Sequence, residues 1–249
     1  MLDVTLASMR RWFGLLARAS PGAYLIERDG VAAAVVPAVP ERAVVNSVIY
    51  DDAAGLEAAY DDIGAAYAEA GAAWTVWVPP EDRRAAELLE AAGHTLDSEP
   101  AAMAADLSQV ERPAADALED WTAEGDPAEV GPLNDRAYTF GTDSFTRAFG
   151  SLPAEELHVY LARLDGRPAG CLIILDHDRN ADVEWVAVAP EARGQGISAK
   201  LLGHALADAA ERGLETSTLV ATKLGRPVYE RVGYRQVGTL HMWELRPST

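Results

Sequence analysis

The stretch Val186-Ala187-Val188-Ala189-Pro190-Glu191-Ala192-Arg193-Gly194-Gln195-Gly196-Ile197-Ser198 decides the reading of this chain. An apolar strand runs into a turn marked by Pro190. A short Arg/Gly loop follows and opens a helix expected over Ser198–Arg212. Such a loop offers unpaired backbone N–H groups at a helix N-terminus, where the dipole favours anions. Gly194 and Gly196 lack the β-carbons that would hold a phosphate at a distance. Arg193 adds a permanent positive charge. The chemistry points to a phosphate or pyrophosphate held at the head of one helix. A Walker-type loop is excluded because no Gly-Lys-Ser/Thr follows. The glycine spacing also fits the dinucleotide fingerprint poorly.

The elements around the loop give it a context. Asp126-Pro127 opens a helix expected over Glu124–Tyr138. Phe145–Phe149 reads as a second short helix. His158–Leu164 and Ala169–Leu175 read as strands of a hairpin turning at Asp165-Gly166. Asp182–Val188 is the next strand, and Gly213 caps the helix after the loop. Thr216–Ala221 reads as a strand, Arg226–Val232 as a helix ending at Gly233, and Tyr234–Leu245 as one or two closing strands.

The loop resembles the acyl-CoA pyrophosphate loop of the GNAT superfamily of N-acyltransferases, whose pattern is Arg/Gln-x-x-Gly-x-Gly/Ala. Arg193, Gly196 and Ser198 fall on it, with Ser198 in place of the final Gly/Ala. Downstream, Thr222 to Tyr234 resembles the family's second CoA-contacting block, where an Asn precedes a Tyr by seven residues and a Gly-aromatic pair follows. Tyr229 and Gly233-Tyr234 match, while Thr222 stands at the Asn position. The two blocks cover roughly residues 181–235, and the element order extends the likeness over about 115–249.

The resemblance implies an α/β (α+β) fold with a mixed, largely antiparallel sheet flanked by helices. It implies acetyl-CoA as cosubstrate, with no metal. The donor would be held by Val186, Ala187, Val188, Arg193, Gly194, Gln195, Gly196, Ile197, Ser198, Thr222, Gly225 and Tyr229. Tyr229 would be the general acid, since a phenol stays protonated at neutral pH. A strand carboxylate often serves as base in this family, and Asp182 and Glu184 both match such positions. Alternation would put Asp182, Glu184, Val186 and Val188 on one face, and burial beside Trp185 would raise the Glu184 pKa. Solvated strand carboxylates are the competing reading of that pair. Lys223 and Arg226 are candidates for the CoA phosphates. Trp121, Tyr138, Phe140 and Phe145 fall where the family's first helices wall the acceptor site, and His241 on the closing strand is a further candidate there.

The N-terminal half carries a fainter echo. Leu56–Ala70 reads as a helix, Trp74–Val78 as a strand and Glu81–Ala92 as a helix, and then Gly93-His94 leads into Thr95–Leu107. The helix-Gly-aromatic join repeats that at Gly233-Tyr234. The copy lacks the Arg-x-x-Gly-x-Gly loop between Tyr50 and Gly55, and Leu89 stands where Tyr229 does. The expected organisation is a degenerate GNAT-like half over 1–110 and the GNAT domain over 111–249, joined within Ser108–Asp120.

Composition narrows the partners. The formal charge is −18, divided as −10 over residues 1–110 and −8 over the rest. That disfavours a nucleic-acid partner and would steer a cationic amine, either a small molecule or a peptide. A solvated acidic surface explains the same charge. No apolar run approaches the ~18 residues of a membrane span, and Met1–Gly14 reads as a short helix without a signal-peptide pattern. Cys171 stands alone in an apolar strand, so a disulfide and a Cys-rich zinc site are excluded and an inert thiol is expected. Together these features suggest a cytoplasmic enzyme. With no Cys or Ser placed as nucleophile, direct transfer in a ternary complex is expected. The rival readings are an acyl-CoA sensor without turnover, and an acyltransferase using another donor or an alcohol acceptor. The oligomeric state is not readable.

Overall fold

The computed structural model describes residues 1–114, 117–138 and 142–247. In chain order the elements are α1 (Leu2–Ala19), β1 (Tyr24–Arg28), β2 (Val31–Val35), β3 (Ser47–Tyr50), α2 (Ala53–Ala70), β4 (Trp74–Val78), α3 (Arg83–Ala91), β5 (Thr95–Ser98) and β6 (Ala101–Asp106). There follow β7 (Trp121–Thr122), α4 (Val130–Tyr138), α5 (Ser144–Phe149), β8 (His158–Leu164), β9 (Arg167–His177), β10 (Asn180–Val188), α6 (Ile197–Glu211), β11 (Thr216–Ala221), α7 (Arg226–Arg231), β12 (Arg235–Thr239) and β13 (His241–Leu245). The expected α/β class holds, as two largely antiparallel sheets flanked by helices.

The chain divides into two compact units. One comprises residues 9–100 with those from Gly238 onward, and the other Met1–Ser8 with Ala101–Val237. The sequence reading had instead cut the chain once, at 110. The difference comes from two strands. Residues Ala101–Asp106 pair antiparallel with Thr216–Ala221 in the sheet of the second unit. Residues His241–Leu245 pair antiparallel with Trp74–Val78 in the first. Each unit therefore takes one strand from beyond the expected boundary.

In the first unit the strand order is β1-β2-β3-β4-β13-β5. Only β3 and β4 are parallel, as the α2 crossover between them requires. Its core gathers Val48, Leu56, Ile63, Tyr67, Trp74, Val76 and Leu89, all nearly inaccessible. Tyr67 stacks on Trp74 at 4.7 Å and donates to Ala34 O at 2.9 Å.

In the second unit the order is β12-β6-β11-β10-β9-β8-β7. Here too a parallel pair, β10 with β11, is joined through a helix, α6. The repeated topology matches the internal repeat expected from Gly93-His94 and Gly233-Tyr234. The β8–β9 hairpin turns at Asp165-Gly166, both at positive φ (51° and 71°). That is the conformation a two-residue turn demands between twisted strands.

The expected helix over Glu124–Tyr138 begins later. Asp126 caps a 3-10 turn at Pro127–Glu129 through Ala128 N–H (2.9 Å), and α4 continues from Val130. Gly125 N–H is drawn instead to Val159 O at 2.8 Å. Among the described residues no helix is long and apolar enough to cross a membrane.

Candidate functional site

Strand β10 makes the site by failing to stay regular. Its pairing with β11 covers only Asn180, Asp182 and the residue between them, opposite Thr216–Thr218, and then stops. Beyond Asp182 the strands part, which leaves backbone groups of β10 without a ladder partner on that side.

On the other side β10 pairs with β9, but the register slips between Glu184 and Ala187. Trp185 sits in this bulge at φ 52°, a left-handed backbone unusual for a bulky residue. Its carbonyl accepts from Asn134 Nδ2 at 3.4 Å, and Cys171 Sγ lies 3.6 Å away. Asn134, fully buried in α4, also donates to Val130 O at 3.0 Å.

The slip corrects the expected alternation. Asp182 pairs with Leu175, Glu184 with Ile173 and Ala187 with Cys171, so Asp182, Glu184 and Ala187 share a face. Val188 pairs with Gly170 and turns to the opposite face, and Val186 goes with it. The extra residue at the bulge reverses the parity.

A cleft of about 560 Å³ opens beside this strand. Val186, Ala187 and Val188 form one wall, and Arg193, Gly194, Gly196, Ile197 and Ser198 form its head. Thr222, Gly225 and Tyr229 close it, together with Ala137, Tyr138, Ala192, Leu224 and Val228. Two blocks far apart in sequence thus meet in one depression. The sequence reading missed Ala137, Ala192, Leu224 and Val228. Tyr138, read as part of the acceptor wall, lines this same cleft and donates to Val186 O at 3.4 Å.

The head of the cleft follows from two glycines. Gly194 and Gly196 take φ of 81° and 74°, which an L side chain resists. Gly196 is the N-cap of α6. Within the described residues, no protein acceptor takes the N–H groups from Gly194 to Ser198. They stand at the positive end of a 15-residue helix.

Arg193 does not aim its charge there. Its guanidinium donates to Ala137 O at the end of α4, which ties the loop to that helix. Gln195 is exposed and lies outside the cleft lining. Lys223 and Arg226 are exposed and outside it too, and Arg226 pairs with Glu230 at 2.7 Å.

At the other end, Thr222 caps the turn into α7. Its carbonyl accepts from Gly225 and Arg226 N–H, and its hydroxyl accepts from Gly225 N–H at 3.2 Å. Gly225 is required by close approach, because a β-carbon there would lie 2.9 Å from Tyr229 Cε2. The Tyr229 ring packs edge-on to Tyr234 at 6.0 Å. Burial foremost, then the charges of Tyr138 and Glu184, pushes the Tyr229 phenol well above its ordinary pKa. It therefore stays protonated at neutral pH.

Asp182 and Glu184 lie on β10 but not in the cleft lining. Asp182 is 1% exposed. Glu184 keeps some accessible surface although protein atoms crowd around it. Burial raises both carboxyls above the usual range, and each bears on the other.

The remaining candidates fall elsewhere. Trp121 stacks on His204 at 4.3 Å, against α6. Phe145 is buried against Phe149 and Trp185. His241 belongs to the first unit, where it pairs with Glu99 at 3.1 Å. Phe140 lies outside the described residues. Cys171 is buried, and burial pushes its thiol up to about 12, so it is no nucleophile at neutral pH. No cluster of three His, Cys, Asp or Glu able to hold a metal occurs among the described residues.

Comparison with known proteins agrees with this architecture. Residues 155–236 match the acetyltransferase (GNAT) domain family. A GCN5-related N-acetyltransferase from Kribbella flavida superposes over 98% of this chain and 96% of its own, with a TM-score of 0.70 at 18% identity. A GCN5-related N-acetyltransferase from Sphaerobacter thermophilus covers 88% of this chain and 78% of its own (TM-score 0.61, 17% identity). A tandem GNAT protein from the clavulanic acid biosynthesis pathway covers 99% and 96% (TM-score 0.59, 16% identity). No curated protein sequence matches the chain. Residues 155–236 thus resemble a GNAT acetyltransferase domain, and the fold of the chain is shared along nearly its whole length by a tandem GNAT structure.

Proposed function

We propose that this chain transfers an acetyl group from acetyl-CoA to an amine, by direct attack within a ternary complex. The observation that carries the reading is the meeting, in one cleft, of an unpaired N–H loop, the released edge of β10 and Tyr229.

The division of labour follows from what each group can do. The pyrophosphate of the donor is matched by the N–H groups from Gly194 to Ser198, where the helix dipole adds attraction. The pantetheine arm carries amides, and the edge of β10 over Val186–Val188 offers backbone partners for them. An N–H on that edge would stabilise charge developing on the thioester oxygen. Tyr229 holds a proton in reach of the departing thiolate. Glu184, or Asp182 acting with it, accepts the proton that the amine must lose before it attacks.

The acceptor is a small-molecule or peptide amine. The −18 formal charge favours one that arrives as a cation and argues against nucleic acid and membrane partners. The site is complete without a metal, and the enzyme works in the cytoplasm. The N-terminal unit contributes architecture and no second donor site.

The test is an intact-mass screen. The purified chain is incubated with acetyl-CoA and a panel of primary amines, and each amine is followed for the mass of one acetyl group with release of CoA thiol. Acetylation of at least one amine, abolished in Gly196→Asp, is expected. CoA binding without transfer to any amine would replace the reading with a sensor.

A further inference from the structure

One buried carboxyl oxygen in the second unit, on Asp182, has no conventional partner. Asp182 Oδ1 accepts from Thr218 Oγ1 at 3.2 Å. Thr218 accepts from Asn180 Nδ2 at 2.7 Å, and Asn180 is fixed in turn by Ser8 (3.1 Å) and Thr216 (2.9 Å). The side chain therefore cannot turn away. Its other oxygen, Oδ2, is buried and takes no N–H or O–H from an ordinary donor among the described residues. A buried oxygen left so is costly, and more so if it carries charge. The polar group within hydrogen-bonding reach is another carboxyl, that of Glu184. Their common face on β10, fixed by the register opposite Leu175 and Ile173, sets the two carboxyls side by side.

Two carboxylates cannot both be ionised in such a place, and two acceptors bond only across a proton. We propose that Asp182 and Glu184 hold one proton between them and act as a single unit of charge −1, with Asp182 positioning Glu184 as the base for a cationic amine. The last clause rests on the proposed acetyl transfer; the shared proton does not. Charge and atoms balance. An N–H bond of the ammonium breaks, its proton joins the pair, both carboxyls become neutral and the amine lone pair is freed for attack.

Among the described residues no Lys, Arg or His shifts either carboxyl; the nearby cation, Arg193, acts on Tyr138. From β9 comes the buried Cys171 thiol, and His177 at its end is turned to Asp178 at 3.4 Å. In α4, Asp135 is taken up by Phe145 and Thr146 N–H, and Arg136 by Glu191. Strand β11 presents hydroxyls. Tyr138, Tyr229 and Tyr234 are all held neutral by burial and by these same carboxyls. In α1, Asp3 is exposed. An ammonium entering here would meet the single unbalanced charge.

The test is isotope-edited infrared spectroscopy of the full chain, with carboxyl-labelled Asp or Glu, at neutral pH and without ligand. One protonated-acid carbonyl band is expected. It should vanish in Asp182→Asn and also in Glu184→Gln, because the new amide donates to the remaining carboxylate and lets it ionise. A band that survives in either variant would mean burial alone protonates that carboxyl, and absence of the band in the wild type would mean no shared proton; both overturn the proposal. The second readout is the pH profile of acetylation with acetyl-CoA and an amine from the screen. In Asp182→Asn its acidic limb should move up, because an amide donates to the Glu184 carboxylate less strongly than the carboxylic acid it replaces, with KM for acetyl-CoA unchanged. A merely structural Asp182 would lower kcat or raise KM without moving the limb. If the band behaves as expected and no amine is acetylated, the transferase reading fails and the shared proton stands.

Discussion

Gly196→Asp separates the phosphate-binding role of the loop from its conformational role, provided Gly196→Ala is measured beside it. At φ 74° and ψ 12° any L residue at this position is strained by about 1–2 kcal/mol. Space is not the obstacle, because the nearest atom to an added β-carbon is the flexible Lys200 Cε at 3.7 Å. The strain is the same with and without ligand, so in Gly196→Ala it should appear in the unfolding midpoint and barely in affinity. The Asp variant adds a carboxylate beside the unpaired N–H groups. At about 5 Å from a pyrophosphate oxygen, with an effective dielectric of ~20, the repulsion is about 3 kcal/mol. That corresponds to roughly a hundredfold loss of affinity. Calorimetric titration with CoA at fixed salt gives both numbers, and the Asp-to-Ala ratio cancels the backbone term. If Gly196→Asp bound CoA within a few-fold of Gly196→Ala, the pyrophosphate would not lie at this helix and the site assignment would fall.

Three further outcomes are expected. The same titration on the wild type should give one CoA per chain, since the equivalent helix α2 has its N-terminus taken by the Asp52 carboxylate (Ala54 and Gly55 N–H, 2.9 Å each); a stoichiometry of two would contradict this. Tyr229→Phe should leave CoA affinity and fold intact and lower turnover ~10²-fold, the scale of a lost general acid; normal turnover would make Tyr229 a packing residue. Burial lowers the His94 pKa to about 4, from 6.5 when exposed. The unfolded chain then binds the extra proton, and stability should fall as pH drops from about 6.5 to 4. Urea midpoints across that window should show a shallower decline in His94→Gln, and an identical decline would remove His94 as the cause.

What the sequence disclosed was local. The Asp165-Gly166 hairpin, the Gly213 cap and the Arg193–Ser198 loop are each set by a few neighbouring residues whose backbone needs can be read directly. Strands β2 and β3 carry no legible pattern because Val31–Val35 and Ser47–Tyr50 are buried throughout, which removes the alternation that marks a half-exposed strand. The bulge at Trp185 left no signal either. A single extra residue reverses every side chain after it, so Val186 and Val188 were assigned to the wrong face while Asp182 and Glu184 were paired correctly. The placement of β6 and β13 depends on partners more than a hundred residues away, Leu219 opposite Met103 and Trp243 opposite Val76. Nothing local distinguishes a strand that stays with its own half from one that completes the other.

That exchange bears on why a half without a phosphate loop persists. The sheet of the second unit pairs β11, the parallel neighbour of β10, with Ala101–Asp106 from the end of the N-terminal half. Deleting residues 1–110 would therefore not leave the second sheet whole. It would expose one edge of β11, the strand from which β10 departs. In the N-terminal copy, Arg28, Asp29, Asp51 (paired with Arg10 at 2.6 Å) and Asp52 line the depression at the head of α2, where the C-terminal copy has Gly194 and Gly196. Carboxylates satisfy that helix from within and repel a phosphate. The first unit thus presents acidic side chains where the second presents glycines, while β6, which follows it in the chain, completes the sheet of the second.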